Sequence, residues 1–578
     1  MSFAISALGF FWFSRTIKSI FFWLYLWQLK EYHVGRFLDH FRTHKGKKLI
    51  LNPLLAFKIA FLPLVAIRPL LFAWVLLLIY VFETAVFCLH VIKNNFKKPK
   101  FTFKTLLLTS VLLFLTALFL FKTYSSKAGF PITFSILVFD ILTPLIVSCV
   151  VLFFQPFFVA ARNITLKKAK EKINKSKGLI VVAITGSYGK TSTKEFLKTI
   201  LSSKFNVLAT EKNQNSEMGI AKTILSNDFD RVFKQETRAL ENSSARPSTQ
   251  KDLSASVFVV EMGSYKKGGI KLLCDMVRPN IGVVTGVNEQ HLALFGSMDN
   301  LLSAEGGREL AESLPKDGLI ILNGDNKYCL DLYKKATMRK KMYSVKKDRV
   351  DSDIWTDDVE VEKSYISFIA ESAQKEMVPF NVNILGKHNV QNILAAILVA
   401  KELGMSLERI AEACENIRQE QSGITLKRGI YGINIIDFSY SSNPNGVMAD
   451  LDYLNVFSES PVPPEGLPFL DTGKPIEKPR KIIVMPCLIE LGIRSSQIHQ
   501  DIGKKIAEVC DLAIITTKDY FDDIKRGAVE SGVSAKRIIL RENPKDIFTI
   551  ITTSCASNDA VLLEGGRPAE LIRLLMNQ

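Results

Sequence analysis

A glycine-rich turn is the part of the sequence whose residue types and spacing point most directly to chemistry. It follows the apolar run 179–184 and reads Gly186-Ser187-Tyr188-Gly189-Lys190-Thr191-Ser192. Glycines let backbone N–H groups approach phosphate oxygens, a lysine supplies a mobile positive charge, and a threonine hydroxyl can bind Mg²⁺. The pattern predicts a phosphate-binding loop between a buried strand and the N-terminus of a helix.

Polar residues also stand directly after two later apolar runs. Glu261 follows the run 257–260, and the segment from Asn288 to His291 follows the run 281–285. Because the carboxyl ends of parallel strands meet at one edge of a sheet, we expect these side chains beside the phosphate-binding loop. A carboxylate in that place faces the phosphates and can hold Mg²⁺. The histidine has two interpretations, as a ligand or as a structural residue.

Together with four further segments, these motifs resemble the Mur ligases, ATP-dependent enzymes that join an amino acid or peptide to a growing cell-wall precursor. The further segments are Asn213-Gln-Asn215-Ser216-Glu217-Met-Gly219, Asn323-Gly-Asp325, Gly386-Lys-His388-Asn389-Val-Gln-Asn392 and Ile435-Ile-Asp437-Phe438-Ser-Tyr440-Ser441-Ser-Asn443-Pro444. The likeness extends over residues 178–578 and is strongest to the members that add D-alanyl-D-alanine. It implies ATP and Mg²⁺ as cofactors.

The resemblance also implies roles for individual residues. The implied catalytic residues are Lys190, Glu261, His291 and Glu305, and the implied metal ligands are Thr191, Glu261, His291 and Glu305. The implied ATP-binding residues are Gly186, Ser187, Tyr188, Gly189, Lys190, Thr191, Ser192, Asn323 and Asp437. The implied substrate-binding residues are Asn213, Asn215, Ser216, His388, Asn389 and Asn443. The spacing around His388 and Asn389 also fits a packed and capped helix, so the direct role of both residues stays open.

The sequence departs from the family at the position of a lysine that reacts with CO₂ to form a carbamate. That lysine is absent, and the chain reads Ser303-Ala304-Glu305-Gly306 there. Glu305 could supply the same negative charge on a shorter stem. Glu309, one helical turn further on, is an alternative, because residues four apart share a helix face. A third interpretation is that this part of the metal site is lost.

Two more departures lie in the last third of the chain. An arginine that usually follows the glycine at the start of the last domain is here Ile424, so Lys427 or Arg428 would have to replace it. Phe438 and Ser441 also differ from the family pattern. Asp437 keeps that pattern and is implied to meet the nucleotide when the domains close.

The first 177 residues differ from the rest in composition and charge. They contain 24 Lys and Arg but five acids, which leaves a net charge of +19 here and −2 in the remainder. Basic residues among long apolar runs are typical of a membrane domain, whereas nucleic-acid-binding proteins place them along a folded groove. Four runs approach the roughly 20 apolar residues that cross a bilayer: 49–67, 70–91, 105–121 and 132–154. We predict about four transmembrane helices, a lipid bilayer as partner and no nucleic acid.

The distribution of basic residues predicts an orientation in the membrane. Clusters at 44–48, 93–104 and 167–177 are expected in the cytoplasm, and the poorer loop 122–130 outside. The catalytic domains would then lie in the cytoplasm, at the inner membrane of a bacterium if the family resemblance holds.

Charged residues inside the apolar stretches leave alternatives open. The aromatic stretch 3–27 carries Arg15 and Lys18, and it fits an interfacial helix as well as a membrane span. Glu83 and Asp140 lie within two of the predicted spans. Such carboxylates are either functional or paired with other charges.

The predicted fold class is an α-helical membrane domain followed by α/β domains. Residues 1–166 would form the membrane domain and 167–177 a basic linker. Short Val/Ile-rich runs alternating with helical patterns predict a parallel-sheet, P-loop-type ATP-binding domain over 178–422. A smaller, Rossmann-like α/β domain would follow over 423–578, with polar or Pro-rich insertions at 227–256 and 458–480.

The leading functional prediction is ATP-dependent amide ligation. ATP would phosphorylate a muramoyl-peptide carboxylate, and D-alanyl-D-alanine or a similar amine would attack the acyl phosphate. The partners are thus a peptidoglycan precursor and an amino acid or dipeptide. The alternatives are a ligase for a different, lipid-linked acceptor, a membrane transporter or regulator driven by a P-loop ATPase, and a degenerate nucleotide-binding protein.

Overall fold

The computed structural model divides the chain into two compact units, Met1–Ile164 and Thr165–Gln578. The described residues are 2–93, 96–125, 132–176, 178–211, 214–227, 256–346, 352–362, 365–438, 443–459, 478–566 and 569–576. Asn213, Tyr440, Ser441 and most of both predicted insertions lie outside the described residues.

The first unit is helical. Its helices are α1 (Ser2–Leu29), α2 (Val34–His40), α3 (His44–Ile50), α4 (Pro53–Ile67), α5 (Pro69–Ile92), α6 (Phe103–Ser125) and α7 (Ile132–Lys175), the last of which ends in the second unit. Within the described ranges, four helical stretches are long and apolar enough to cross a membrane: Gly46–Ile67, Pro69–Ile92, Phe103–Ser125 and Ile132–Lys175. This confirms the four predicted apolar helices.

Residues 167–175, predicted as part of a basic linker, are helical and complete α7. Their Lys, Ala and Glu residues are good helix formers. The apolar residues Ala169 and Ile173 of this segment, with Leu166 just before it, are buried in a core cluster of the second unit. The segment therefore packs as an element of that unit.

The first sheet of the second unit has nine strands among the described residues. They are β1 (Leu179–Thr185), β2 (Asn206–Ala209), β3 (Ser256–Glu261), β4 (Ile281–Val284), β5 (Leu319–Asn323), β6 (Arg339–Ser344), β7 (Ile354–Val361), β8 (Ile366–Ser372) and β9 (Met377–Val382). Their order is β2-β3-β1-β4-β5-β6-β7-β8-β9. Pairing is parallel from β2 to β7 and antiparallel from β7 to β9.

Helices cover both faces of this sheet. They are α8 (Lys190–Leu201), α9 (Glu217–Ser226), α10 (Gly269–Val277), α11 (Leu292–Phe295), α12 (Met298–Ser303), α13 (Arg308–Ser313), α14 (Lys327–Lys335), α15 (Asn389–Glu402) and α16 (Leu407–Cys414). Alternate residues of β1 enter different cores: Val182 packs with residues of α8 and α15, and Val181 with residues of α9 and α10. Burial on both faces explains why the parallel strands are almost continuously apolar.

The second sheet has six strands within the described part of the chain. They are β10 (Thr425–Arg428), β11 (Asn434–Phe438), β12 (Lys481–Met485), β13 (Leu512–Ile515), β14 (Ile538–Leu540) and β15 (Ala560–Glu564), in the order β10-β11-β15-β12-β13-β14. All pairs are parallel except β10 with β11. The accompanying helices are α17 (Pro444–Glu459), α18 (Ser495–Val509), α19 (Phe521–Glu530), α20 (Pro544–Ser554) and α21 (Ala569–Met576). The two sheets fall on either side of residue 423, and the predicted fold class is confirmed.

Candidate active site

The phosphate-binding loop connects β1 to α8, as the sequence predicts. Gly186 has a φ of 137° and Gly189 a φ of 74°, conformations that favour glycine. A Cβ atom on Gly189 would also collide with the amide of Asn392. Lys190 begins α8, and its Nζ donates a hydrogen bond to the carbonyl of Gly186 inside the loop. The loop therefore presents backbone N–H groups and a mobile cation at a helix N-terminus.

Thr285, directly after β4, stabilises the loop by hydrogen bonds. Its hydroxyl donates to the carbonyls of Tyr188 and Thr185, the latter at 3.2 Å. The phenol of Tyr188 accepts a hydrogen bond from Asn326 Nδ2 at 3.2 Å, and burial raises the pKa of Tyr188 to about 12. Sequence analysis did not assign a role to Thr285, although its position at a strand end was a usable signal.

Glu261, the last residue of β3, lies at the start of α8. Thr191 Oγ1 is 3.0 and 3.1 Å from the two carboxylate oxygens of Glu261, and Asn215 Nδ2 donates to one of them at 3.1 Å. Lys194 Nζ, on a fully buried side chain, is 3.5 Å from Oε2. A hydroxyl next to a carboxylate is the type of oxygen ligand set that Mg²⁺ prefers. These residues fit a Mg²⁺–nucleotide.

The asparagine-rich segment approaches the same carboxylate. The carbonyl of Asn215 accepts a hydrogen bond from Gly263 N at 2.9 Å, which fixes this segment beside the end of β3. Ser216 caps α9, and its Oγ accepts from Gly219 N at 3.4 Å. Of the predicted substrate-binding residues in this segment, Asn215 is thus next to Glu261, whereas Ser216 is engaged in helix capping.

The two acids Glu305 and Glu309 have different surroundings, although the sequence places them four residues apart. Helix α12 ends at Ser303 and α13 begins at Arg308, with Gly307 at a φ of 85° between them. The expectation that both acids share one helix face is therefore wrong. Glu305 is 2% exposed, and its Oε2 accepts a hydrogen bond from Ser187 Oγ of the phosphate-binding loop at 3.0 Å.

Glu309 instead holds the N-terminus of α10. Its carboxylate accepts hydrogen bonds from Gly268 N at 2.7 Å, Lys271 N at 3.0 Å and Ser303 Oγ at 3.1 Å. A carboxylate at this place also interacts favourably with the helix dipole. Glu309 is a structural acid, and Glu305 is the acid that faces the loop.

His291 contacts Glu490, in the part of the chain that forms the second sheet, and its ring packs edge-on against Tyr265. Its Nδ1 is 2.7 Å from Glu490 Oε2, and Ala293 N donates to the carbonyl of Glu490 at 3.1 Å. Nowhere in the described ranges do three or more His, Cys, Asp or Glu side chains form a group that could hold a metal ion. The second metal site implied for His291 and Glu305 stays a prediction.

Asn323 and Asn389 are completely buried. The Nδ2 atom of Asn323 donates to the carbonyl of Thr285 at 2.8 Å, and that of Asn389 donates to the carbonyl of Leu385 at 2.7 Å. Neither side chain retains exposed surface with which to contact a ligand. Both side chains hydrogen-bond to the backbone around the site, and direct binding of ATP by Asn323 and of substrate by Asn389 stays a prediction.

The second sheet contributes a polar edge next to the first. Asn288 Nδ2 donates to Asn443 Oδ1 at 3.2 Å and to Asn445 Oδ1 at 2.8 Å. Asn443 precedes α17, and Asp437 is the second-last residue of β11 and is buried. Asn288 was part of a predicted motif without an assigned role, and it joins the two α/β halves.

The predicted substitutes for the missing arginine have unequal positions. Arg428 pairs in register with Asn434, at the opposite end of β11 from Asp437, and donates to Asn434 and Asn558. The guanidinium of Arg428 is therefore engaged at the end of β11 away from Asp437. Ile424 and Phe438 are both buried in one apolar core cluster, so these departures strengthen packing at the start of the domain.

His388 precedes α15, and its side chain as a whole is only partly buried, but its Nδ1 is enclosed and has no hydrogen-bond partner among the described residues. Burial lowers the pKa of His388 to about 4. Between pH 6.5 and about 4 the unfolded chain binds this proton and the folded chain does not, so stability falls as the pH falls.

We expect His388→Gln to make the loss of stability below pH 6.5 shallower, because glutamine does not titrate. The measurement is the thermal unfolding midpoint of the detergent-purified protein from pH 7.5 to pH 4.5. If the unfolding midpoint of the variant fell with pH as steeply as that of the parent chain, His388 would not be the source of the acid-dependent loss of stability.

The class of protein follows from three features: the phosphate-binding loop, the carboxylate at the end of β3 and the two adjoining α/β sheets. Residues 184–400 match the family model described as the Mur ligase middle domain. The match covers the part of the chain that carries the phosphate-binding loop and Glu261, and it agrees with the resemblance read from the sequence motifs.

Relatives with solved structures or curated names agree with that class. The UDP-N-acetylmuramoyl-tripeptide–D-alanyl-D-alanine ligase of Bacillus subtilis is 25% identical over 394 residues, which cover 68% of this chain and 74% of the relative. The enzyme of the same name from Mycobacterium bovis is 27% identical, with 61% and 62% covered. The chain thus spans less than two thirds of the mycobacterial relative.

The fold is that of solved ligases. The crystal structure of MurF from Acinetobacter baumannii superposes with a TM-score of 0.58 at 21% identity, covering 72% of this chain and 81% of that one. MurF from Thermotoga maritima, solved in complex with ADP, gives 0.55 at 20% identity over 72% and 83%. At this identity the likeness concerns the fold.

Proposed function

We propose that this chain is an ATP-dependent amide ligase of cell-wall precursor synthesis. It joins D-alanyl-D-alanine or a similar amine to a muramoyl-peptide carboxylate, and its N-terminal helices anchor it in the inner membrane of a bacterium with the catalytic part in the cytoplasm. The observation that carries the proposal is the contact of Thr191 with Glu261 beside the Lys190 loop, inside a Mur ligase middle domain.

The residues of this chain divide the work between binding and charge stabilisation. The loop from Gly186 to Gly189 would bind the phosphates of ATP, and Thr191 and Glu261 would hold Mg²⁺. When bound, Mg²⁺ supplies positive charge that offsets the negative charge on the transferring phosphoryl group. Lys190 stabilises the same charge from the loop side. The substrate carboxylate attacks the γ-phosphorus of ATP, and ADP leaves. The amine then attacks the carbonyl carbon of the acyl phosphate and loses a proton, and inorganic phosphate leaves as the amide forms.

The test is phosphate release and product mass for the detergent-purified chain with ATP, Mg²⁺, D-alanyl-D-alanine and a UDP-muramoyl-tripeptide. A mass gain equal to the dipeptide less one water, lost without the amine, is the expected result. ATP hydrolysis that does not depend on the amine would contradict ligation and favour a transport ATPase.

The four apolar helices support a second acceptor, because a membrane anchor would keep the catalytic part near lipid. In this version the muramoyl peptide is lipid-linked. Product from a lipid-linked acceptor in nanodiscs, with none from the UDP-linked one, would select it.

Glu305 is expected to act in catalysis and its neighbour Glu309 in folding. Glu305→Gln removes the charge that faces Ser187 and should lower kcat by roughly 10- to 100-fold, the equivalent of one charged hydrogen bond. Glu309→Gln turns an amide N–H toward a backbone N–H of α10, and should cost about 1–3 kcal/mol of stability with little change in kcat of the folded enzyme.

Both variants are measured by ligation kinetics and by thermal unfolding. Equal kcat values for Glu305→Gln and the parent chain would show that this acid is not part of the reaction. ATP binding without turnover in the parent chain, together with turnover gained by Glu305→Lys, would identify a degenerate site.

A further inference from the structure

Helix α1 has the length of a membrane span but carries charge at its centre. Its 28 residues extend over about 42 Å, more than the roughly 30 Å of a bilayer's hydrocarbon core. Arg15 and Lys18 are the charged residues of its sequence. An isolated arginine at mid-depth is costly in a membrane, so the surroundings of Arg15 decide whether α1 can cross.

One end of α1 contacts the last turn of α6, one of the four apolar helices, and the other end contacts the segment just before α6 begins. Near its start, the carbonyl of Ile5 accepts a hydrogen bond from Tyr124 Oη at 2.8 Å. Near its end, the side chain of Gln28 donates to the carbonyl of Lys100 at 3.0 Å and accepts from the N–H of Lys100 at 2.6 Å. Because α6 runs from Phe103 to Ser125, α1 is antiparallel to it and covers its whole length.

The centre of α1 takes part in a balanced network of charges. Arg15 Nη1 is 2.5 Å from Asp140 Oδ1 of α7, and its Nε is 3.2 Å from Glu83 Oε1 of α5. Lys58 Nζ of α4 is 2.5 Å from Glu83 and 2.7 Å from Asp140. Tyr80 donates to Asp140 at 3.3 Å. Two cations thus face two carboxylates, and four helices meet there.

We infer that α1 is a fifth transmembrane helix, held at mid-depth by the Arg15–Glu83–Lys58–Asp140 network. An interfacial helix lies in the membrane plane and cannot contact both ends of a span. The network lowers the cost of insertion at Arg15, because Arg15 crosses as part of a neutral group. Its outward face, with Phe10 at 65% exposure, then contacts lipid.

The orientation of α1 follows from its neighbours. The Gln28 end contacts Lys100, which belongs to the basic cluster 93–104 expected on the cytoplasmic side. The Ile5 end adjoins Tyr124, close to the loop that is poor in positive charge. The start of α1 therefore lies outside the cytoplasm.

The test uses single cysteines and a membrane-impermeant maleimide on right-side-out spheroplasts, with the labelling of the parent chain subtracted. The probe position is Ser6→Cys, and the controls are Lys122→Cys for the outer side and Arg42→Cys for the cytoplasmic side; all three residues are exposed. We expect Ser6→Cys to react in intact spheroplasts as Lys122→Cys does, and Arg42→Cys to react after permeabilisation. Reaction of Ser6→Cys after permeabilisation alone would overturn the proposal.

A charge exchange tests the network itself. Arg15→Glu places a third acid beside Lys58 and should lower the yield of monodisperse protein several-fold. The double variant Arg15→Glu, Glu83→Arg should restore that yield, whereas Lys18→Gln, which removes a charge outside the ion pairs, should leave it unchanged. A normal yield for Arg15→Glu alone would contradict a network at mid-depth.

Discussion

Replacing Lys190 with alanine is expected to lower amine-dependent phosphate release by about 10²- to 10³-fold, the usual cost of losing one donor that stabilises transition-state charge. The loop should keep its conformation, because that conformation depends on Gly186, Gly189 and the hydrogen bonds from Thr285. Alanine also keeps α8 intact, since it is the best helix former. ATP should still bind through the backbone N–H groups, so the loss is expected in kcat more than in nucleotide affinity.

Lys198→Ala is the matched control for this variant. Lys198 lies on the same helix two turns further on and is exposed, so its removal should leave both activity and stability unchanged. Phosphate release is measured at saturating ATP, and nucleotide affinity by a fluorescent analogue. If Lys190→Ala keeps more than about a tenth of the parent kcat, the phosphoryl charge is stabilised mainly by other groups.

The elements that carry the site could be predicted from the sequence because their signals are local. The runs that became β1, β3, β4 and β5 are apolar, short and followed at once by a polar motif, which is what parallel strands buried on both faces require. The four apolar helices of the first unit could be predicted equally well, because the prediction depends only on their length and composition.

Contacts between distant residues could not be predicted in the same way. The spacing of Glu305 and Glu309 suggested one helix face, but Gly307 interrupts the helix and sends the two acids to different partners. The partner of His291 is Glu490, 199 residues away, and no periodicity links them. Lys194 is a lysine on a polar helix in sequence, yet its ammonium is buried against Glu261. Tertiary packing decides all three.

The second large expected effect is that of Glu261→Gln, which changes the acid beside the buried ammonium of Lys194. Glutamine keeps the size of the side chain and one oxygen for Thr191 or Asn215, but it removes the charge that would hold Mg²⁺. We expect the Mg²⁺ concentration for half-maximal ligation to rise about 10- to 100-fold and kcat to fall, since a charge-assisted contact to a metal is lost. The measurement is initial rate against free Mg²⁺ at fixed, saturating ATP.

Part of any loss in Glu261→Gln could arise from Lys194, which would keep a single acid partner in a buried place. Lys194 has two acid partners, Glu261 and Glu195, and its Nζ is 3.1 Å from Glu195 Oε1. Glu195→Gln therefore isolates the contribution of Lys194, because it removes the second acid partner and leaves Glu261 in place. Breaking either pair should lower stability by a similar amount, since each leaves the buried cation less compensated. The Mg²⁺ requirement should change in Glu261→Gln alone. Equal shifts in both variants would mean that Glu261 acts through the charge of Lys194, and that the metal is held elsewhere.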